Sequence, residues 1–123
     1  MRSPSTYPSG QLQVIKPGEF NVTSWAGYPE GQFGLPRPAG TLRILSPAEY
    51  AEARAAADTM NAAIRRELPL WSNAGLEWHE IKPVIFGGSP TDLANKIPLP
   101  RGFHRSQVSP WWLNLQRSVK GGP

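Results

Sequence analysis

The sequence predicts an α+β fold in one small domain, and three observations carry this prediction. The chain has 123 residues and a mass of 13.5 kDa, which suits a single modest hydrophobic core. One long helical pattern lies between short extended segments, and the later segments follow the order strand, loop, strand, helix. Fourteen prolines and twelve glycines punctuate the chain, so we expect much of the backbone to be loop.

Residues 1–40 are rich in proline, glycine and serine, with short apolar groups between them. We predict an irregular arm with one or two short strands, whose aromatic residues, such as Trp25 and Tyr28, pack on the core of the later chain. A linker that leads into the domain is the alternative. Residues 41–123 form the domain proper in this prediction, and residues 41–45 are a further strand candidate.

A scaffold helix is predicted over about residues 47–68. Ser46 caps its start, Pro47 takes the first helical position and Glu49 completes a capping box. Pro69 should end it. Apolar residues recur at spacings of three and four and form one stripe for packing: Tyr50, Ala53, Ala57, Met60, Ile64 and Leu68.

The strand, loop, strand and helix follow over about residues 77–108. Residues 77–81 alternate as a short strand, with Glu77 and His79 on one face and Glu80 on the other. The segment GGSPTD at residues 87–92 predicts a turn. Residues 95–99 are extended, and residues 101–108 can form two helical turns. Ser109 and Pro110 repeat the signal of a cap followed by proline, which predicts a separate terminal helix.

These segments resemble the HNH, or ββα-metal, nuclease superfamily, in particular the nuclease domains at the C-termini of bacterial polymorphic toxins. The resemblance covers roughly the last third of the chain and rests on HEIKP from His79, the GGSPTD turn, Asn95, LPR ending at Arg101, His104 and the Trp111–Trp112 pair. It implies an HNH-like ββα core in which His79 and His104 bind one divalent ion. In the same way it implies that Asn95 braces the loop. The ion could be zinc, nickel, magnesium or manganese.

The chain departs from the family's pattern at two positions. Glu80 stands where the family has a histidine base, and Val108 stands where a further ligand is often found. Glu80 can take the role of the base, because a carboxylate accepts a proton. Alternatively, the frame shifts by one residue, so that His79 is the base and Glu80 or a nearby acid holds the ion. The sequence leaves both assignments open.

The charge of the chain favours a polyanionic partner. Lys and Arg number 13 against 9 Asp and Glu, which gives a net charge of +4 and a pI of about 9.9. Four basic residues flank the predicted site and are candidate phosphate contacts: Lys82, Lys96, Arg101 and Arg105. The resemblance implies nucleic acid as the substrate, DNA ahead of RNA, and a cognate immunity protein as a further partner.

The function predicted from these residues and the resemblance is that of a metal-dependent endonuclease. The resemblance also implies the toxin domain of a larger bacterial effector, secreted or delivered, that acts in the cytoplasm of a target cell. Two alternatives are a metal-independent ribonuclease, in which Glu80 and a histidine share acid–base roles, and an inactive HNH-like binding module. The chain has no cysteine, which excludes disulfides and thiolate metal sites. No apolar run approaches the roughly 20 residues that span a bilayer.

Overall fold

A computed structural model of the protein describes residues 11–67 and 75–121. Its elements are β1 (Gln11–Lys16), β2 (Glu19–Ser24), β3 (Leu42–Arg43), α1 (Pro47–Glu67), β4 (Leu76–Glu80), β5 (Lys96–Pro100) and α2 (residues 101–121). The first three strands form an antiparallel sheet in the order β1-β2-β3, and β4 pairs with β5 in a separate antiparallel hairpin. The predicted α+β class is confirmed. Neither long helix of the described chain combines the length and apolar character needed to cross a membrane.

The segment before α1 packs into the same core as the end of the chain. Phe20 and Leu35 are buried in one cluster with residues of α2. The indole of Trp25 stacks on that of Trp111, with ring centroids 5.2 Å apart and planes 6° apart, and Trp111 Nε1 donates to the carbonyl of Ala26 at 2.9 Å. The expectation that aromatic residues of the arm pack on the later core is therefore confirmed. The strand predicted over residues 41–45 is limited to the two residues of β3.

Helix α1 begins with the predicted capping box. Glu49 N donates to Ser46 Oγ at 3.2 Å, and Ser46 N donates to Glu49 Oε1 at 3.0 Å. Ala57 and Ile64 of the predicted apolar stripe are buried, and so is the polar Asn61 between them. The predicted end of the helix, at residues 68 and 69, lies outside the described residues.

The predicted order of strand, loop, strand and helix is confirmed. Antiparallel pairing sets Glu77 opposite Leu99 and Glu80 opposite Lys96. Strand β5 starts one residue later than predicted, because Asn95 ends a short 3₁₀ turn over Leu93–Asn95. The carboxylate of Asp92 caps this turn by accepting from Ala94 N at 2.9 Å.

The predicted terminal helix over Trp111 to Val119 is confirmed, but the prediction that it starts separately after a Ser109 cap is wrong. Helix α2 runs without a break through Arg101–Phe103, a π-helical segment His104–Val108 and the α-helical Ser109–Gly121. Ser109 has helical dihedral angles, φ −61° and ψ −42°, so it does not cap a new helix. A proline inside a helix lacks an N–H and crowds the carbonyl four residues before it. The wider π turn just before Pro110 relieves that crowding, so the helix continues.

Candidate functional site

The two histidines of the chain meet at the junction of β4 and α2. His79 Nδ1 and His104 Nε2 are 3.2 Å apart, and the ring centroids are 5.0 Å apart. The residues lie 25 positions apart in the chain. They meet because β5 pairs antiparallel with β4 and α2 starts directly after β5, so the first turns of α2 lie beside β4. Arg101 N donates to the Gly75 carbonyl at 2.9 Å, which ties the start of α2 to the start of β4.

Glu77 orients the ring of His104. His104 Nδ1 lies 2.6 Å from Glu77 Oε1, so in this geometry Nδ1 carries the proton and donates it to the carboxylate. His104 Nε2 is then unprotonated, so it accepts a hydrogen bond from His79 Nδ1 at 3.2 Å. Burial alone would raise the pKa of Glu77, but the hydrogen bonds from His104 and Arg105 outweigh it and lower that pKa. A carboxylate that fixes the tautomer of an imidazole is the common support of a histidine metal ligand.

His79 is a neutral imidazole at physiological pH. Its side chain is buried, with 6% of the residue exposed. Burial, followed by the nearby charge of His104, lowers the pKa of His79 from 6.5 to about 3. Among the described residues, the buried His79 Nε2 has no hydrogen-bond partner. Metal ions bind the neutral form of imidazole, so His79 is already in the form that a ligand requires.

The lowered pKa of His79 predicts that stability falls with acidification. The unfolded imidazole titrates near 6.5 and the folded one near 3, so between these values the unfolded chain binds more protons. The free energy of unfolding should therefore fall by about 1.4 kcal/mol per pH unit well below pH 6.5. From pH 7 to pH 5 urea titrations should record a loss of about 2 kcal/mol that is absent in His79→Asn. Equal losses in the two proteins would show that His79 does not cause it.

Glu80 directly follows His79 in β4 and belongs to a buried ionic cluster. Arg54 Nη1 donates to Glu80 Oε1 at 3.1 Å, and Lys96 Nζ lies 3.4 Å from Glu80 Oε2. Lys96 Nζ also donates to Asn61 Oδ1 at 2.7 Å, and Asn61 Nδ2 is 3.5 Å from Glu80 Oε2. The side chain of Lys96 is fully buried. The expectation that Lys96 is a solvated or phosphate-binding residue beside the site is therefore wrong, because its ammonium is enclosed by this cluster.

Arg54 and Asn61 are the members of this cluster that the sequence did not single out as site residues. Both lie on α1, whose regular pattern indicated only a scaffold. Asn61 follows Ala57 by four residues and precedes Ile64 by three, so it interrupts the apolar stripe with an amide. A buried amide needs hydrogen-bond partners, and this interruption was the available signal of a polar cluster.

A cavity of about 530 Å³, here called the histidine cavity, opens between α1 and α2. Among the described residues its polar lining includes His79, His104, Glu80, Arg54 and Arg105. A second cavity of about 330 Å³ lies beside it and shares Arg105; its lining adds three charged residues. These are Arg65, Glu77 and Arg101.

The predicted phosphate contacts occupy two different places. Arg105 Nη2 lies 3.2 Å and Arg101 Nε 3.7 Å from Glu77 Oε2. Both arginines are therefore next to His104, on one face of the helix as their spacing of four residues predicted. Lys82 lies elsewhere: its Nζ donates to the carbonyl of Thr41 at 2.8 Å. It lines a third cavity together with Asn95 instead of the histidine cavity.

Asn95 holds the loop between β4 and β5. Its Nδ2 donates to the carbonyls of Lys82 at 3.0 Å and Ser89 at 2.9 Å, and its Oδ1 accepts from Lys82 N at 2.9 Å. A side chain at Gly88 would overlap the Lys82 carbonyl oxygen, so the loop can close this tightly only over glycine. Asn95 thus holds the chain just after β4, three residues beyond His79, through backbone groups of Lys82 and Ser89.

The histidine pair fits a divalent ion. Two nitrogen ligands of one tetrahedral zinc ion are about 3.3 Å apart when each bond is about 2.0–2.1 Å, close to the 3.2 Å between His79 Nδ1 and His104 Nε2. No group of three or more His, Cys, Asp and Glu side chains arranged for one ion occurs in the described part of the chain. Val108, at the position where the resemblance to HNH nucleases implied a further ligand, is fully buried in the core.

Comparisons of the chain with models of protein families, with curated proteins and with solved structures found no match.

Proposed function

We propose that this protein is a metal-dependent nuclease that hydrolyses phosphodiester bonds, with DNA ahead of RNA as its substrate. The observation that carries this proposal is the pair of imidazole nitrogens 3.2 Å apart, one from a β-strand and one from the following helix. The substrate class comes from the resemblance to HNH nucleases and from the arginines beside the pair. The same resemblance supports a bacterial effector toxin, delivered to a target cell and restrained by an immunity protein.

His79 Nδ1 and His104 Nε2 would hold the ion, with Glu77 keeping the second imidazole in the required tautomer. Imidazole ligands favour zinc or nickel, whereas a shell rich in water suits magnesium or manganese. When bound, a divalent ion polarises the scissile phosphate and acidifies water, which lowers the basicity required of the proton acceptor. In this proposal His79 and His104 contribute to hydrolysis by binding the ion.

Glu80 is the proton acceptor in this proposal. Among the described residues that line the histidine cavity, Glu80 is the one with a carboxylate. It directly follows His79 in β4. Its contacts with Arg54 and Lys96 hold the carboxylate in place. Arg101 and Arg105 are the proposed phosphate contacts, whereas Lys82 would first have to release the Thr41 carbonyl. Asn95 supports the site through the loop.

The test is a cleavage assay on plasmid DNA and on total RNA, with and without EDTA. We expect cleavage of DNA that EDTA abolishes and that zinc, nickel, magnesium or manganese restores. His104→Ala protein, prepared identically, controls for contaminating nucleases. Absence of cleavage of both substrates with all four ions would contradict the proposal and favour an inactive binding module.

A metal-independent ribonuclease is the second candidate, and the short contact between His104 Nδ1 and Glu77 Oε1 favours it. A carboxylate that orients an imidazole at 2.6 Å is also the arrangement of a general base. In such an enzyme the 2′-hydroxyl of RNA would be the nucleophile, with Glu80 as the partner of the histidine. Cleavage of RNA that resists EDTA, together with no effect on DNA, would identify this activity.

The two arginines next to His104 predict a change in the salt dependence of binding. Arg101→Ala with Arg105→Ala should weaken nucleic-acid binding and flatten the plot of log K against log salt by about one unit for each lost phosphate contact. The matched control removes Arg66 and Arg117, two exposed residues that lie outside the lining of the histidine cavity. Anisotropy titrations at several salt concentrations measure both slopes. Equal slopes in the two double variants would show that Arg101 and Arg105 are not special phosphate contacts.

A further inference from the structure

Arg54 lies outside the ββα element, in α1, yet it lines the histidine cavity with His79 and His104. Its Nη1 donates to Glu80 Oε1 at 3.1 Å and its Nε donates to Asp58 Oδ1 at 3.1 Å. The side chain is 33% exposed. Two carboxylates therefore hold the guanidinium in one position while part of it still faces the cavity.

The guanidinium of Arg54 has donors to spare. An arginine side chain carries five N–H groups in a planar fork that matches the oxygens of a phosphate. Within residues 11–67 and 75–121, the hydrogen bonds of Arg54 to Glu80 and Asp58 use two of these groups. Three N–H groups have no partner in the described part of the chain and remain for a ligand. The arginine needs little rearrangement to bind one, because its position is already fixed.

Each of the two carboxylates beside Arg54 neutralises its charge only in part. Glu80 is shared with the buried ammonium of Lys96, 3.4 Å from its Oε2. Asp58 is 69% exposed, so water screens much of its charge. Helix α2 contributes Arg105 to the lining of the cavity; the side chain of Arg105 is 67% exposed, and its Nη2 lies 3.2 Å from Glu77 Oε2. The histidine pair thus lies in a cavity that has one arginine from each long helix.

We propose that Arg54 binds a backbone phosphate of the polynucleotide substrate, so that Arg54 from α1 and Arg105 from α2 both contact the strand at the histidine cavity. This inference rests on the proposed nuclease function and adds a substrate contact from the scaffold helix to it. The ligand is a phosphodiester, which the spare N–H groups of Arg54 bind through two oxygens. Glu80 and Asp58 keep the guanidinium directed at that phosphate.

The test compares Arg54→Gln and Arg54→Lys with Arg66→Gln, which removes the same charge from an exposed position of the same helix. Binding is measured by anisotropy of short labelled single strands of DNA and of RNA, in EDTA, over a series of salt concentrations. For Arg54→Gln we expect the slope of log K against log salt to flatten by about 0.7, the value for one phosphate contact on a single strand. Arg66→Gln should keep the wild-type slope.

Cleavage kinetics supply the second measurement. The value of kcat/KM should fall about tenfold to a hundredfold in Arg54→Gln, as for loss of a hydrogen bond to a charged group. Arg54→Lys keeps the charge, so its slope should stay near that of the wild type. Its kcat/KM should fall several-fold, because an ammonium lacks the planar fork of N–H groups that matches two phosphate oxygens. Thermal unfolding shows which variants are folded. If Arg54→Gln is unfolded, the kcat/KM of Arg54→Lys decides whether Arg54 contacts the phosphate.

Three results would overturn the inference. A folded Arg54→Gln protein with the wild-type slope would make Arg54 a structural ion-pair partner only. Wild-type kcat/KM in Arg54→Lys would exclude a two-oxygen contact. Failure of the wild type to bind either strand would overturn this inference together with the proposed function. If the slope flattens as expected but no protein cleaves with any ion, the phosphate contact stands and the proposed nuclease function fails.

Discussion

His104→Ala should abolish divalent-ion binding and lower the rate of cleavage by about a thousandfold or more. The variant removes one of the two imidazoles whose nitrogens, His79 Nδ1 and His104 Nε2, are 3.2 Å apart. The chain has no cysteine that could replace it. The domain should stay folded, because His104 is partly exposed on α2 and its loss costs the hydrogen bond to Glu77 and the contact with His79, together about 2–4 kcal/mol. Calorimetry with zinc, nickel and manganese measures the binding.

Gln107→Ala is the matched control, because Gln107 is an exposed residue of the same π-helical segment. It should bind the ion as the wild type does. Unchanged binding in His104→Ala would remove His104 as a ligand. His79→Ala then separates the two assignments left open by the sequence: loss of the ion makes His79 a ligand, whereas a retained ion with lost cleavage makes it the base.

Glu80→Gln is expected to have two large effects, one on stability and one on rate. The change leaves the buried ammonium of Lys96 without its carboxylate, and breaking a buried ion pair from one side costs about 3–5 kcal/mol. The amide also cannot accept a proton, so the rate should fall by roughly a hundredfold or more. Urea unfolding and single-turnover cleavage measure the two effects, with metal binding as a check that the histidine pair is intact.

A double variant separates these effects. Glu80→Gln with Lys96→Met removes both members of the pair, which should restore most of the free energy of unfolding, because no unpaired charge stays buried. If Glu80 accepts the proton, the restored protein remains slow. Recovery of the rate together with the stability would mean that Glu80 serves only in the ionic cluster and that another group is the base.

The sequence by itself determined the elements whose signals are local. Ser46, Pro47 and Glu49 predicted the start of α1, and the alternation of residues 77–81 predicted which residues of β4 share a face. The turn at residues 87–92 and Asn95 after it predicted a braced loop. These predictions hold because capping, alternation and turn formation depend on a few neighbouring residues.

The same local signals failed where a neighbour in space outweighed them. Ser109 and Pro110 have the composition of a helix start, but Trp111, Trp112 and Leu115 are buried in the core that Phe20 also enters. Keeping these side chains packed favours one continuous helix, and the π-helical segment accommodates Pro110 within it. A strong local preference was thus overridden by long-range packing.

The candidate site itself was decided by the tertiary structure. His79 and His104 are 25 residues apart, and only the pairing of β4 with β5 brings their nitrogens to 3.2 Å and Glu77 to the far side of His104. Glu80, Lys96 and Arg54 come from three elements, so no spacing in the sequence could reveal that they share one buried ionic cluster. Residue type and local sequence pattern predicted the candidate site residues His79, Glu80 and His104. Their distances, burial and partners depend on which distant segments share the low-dielectric interior, and only the folded chain determines that.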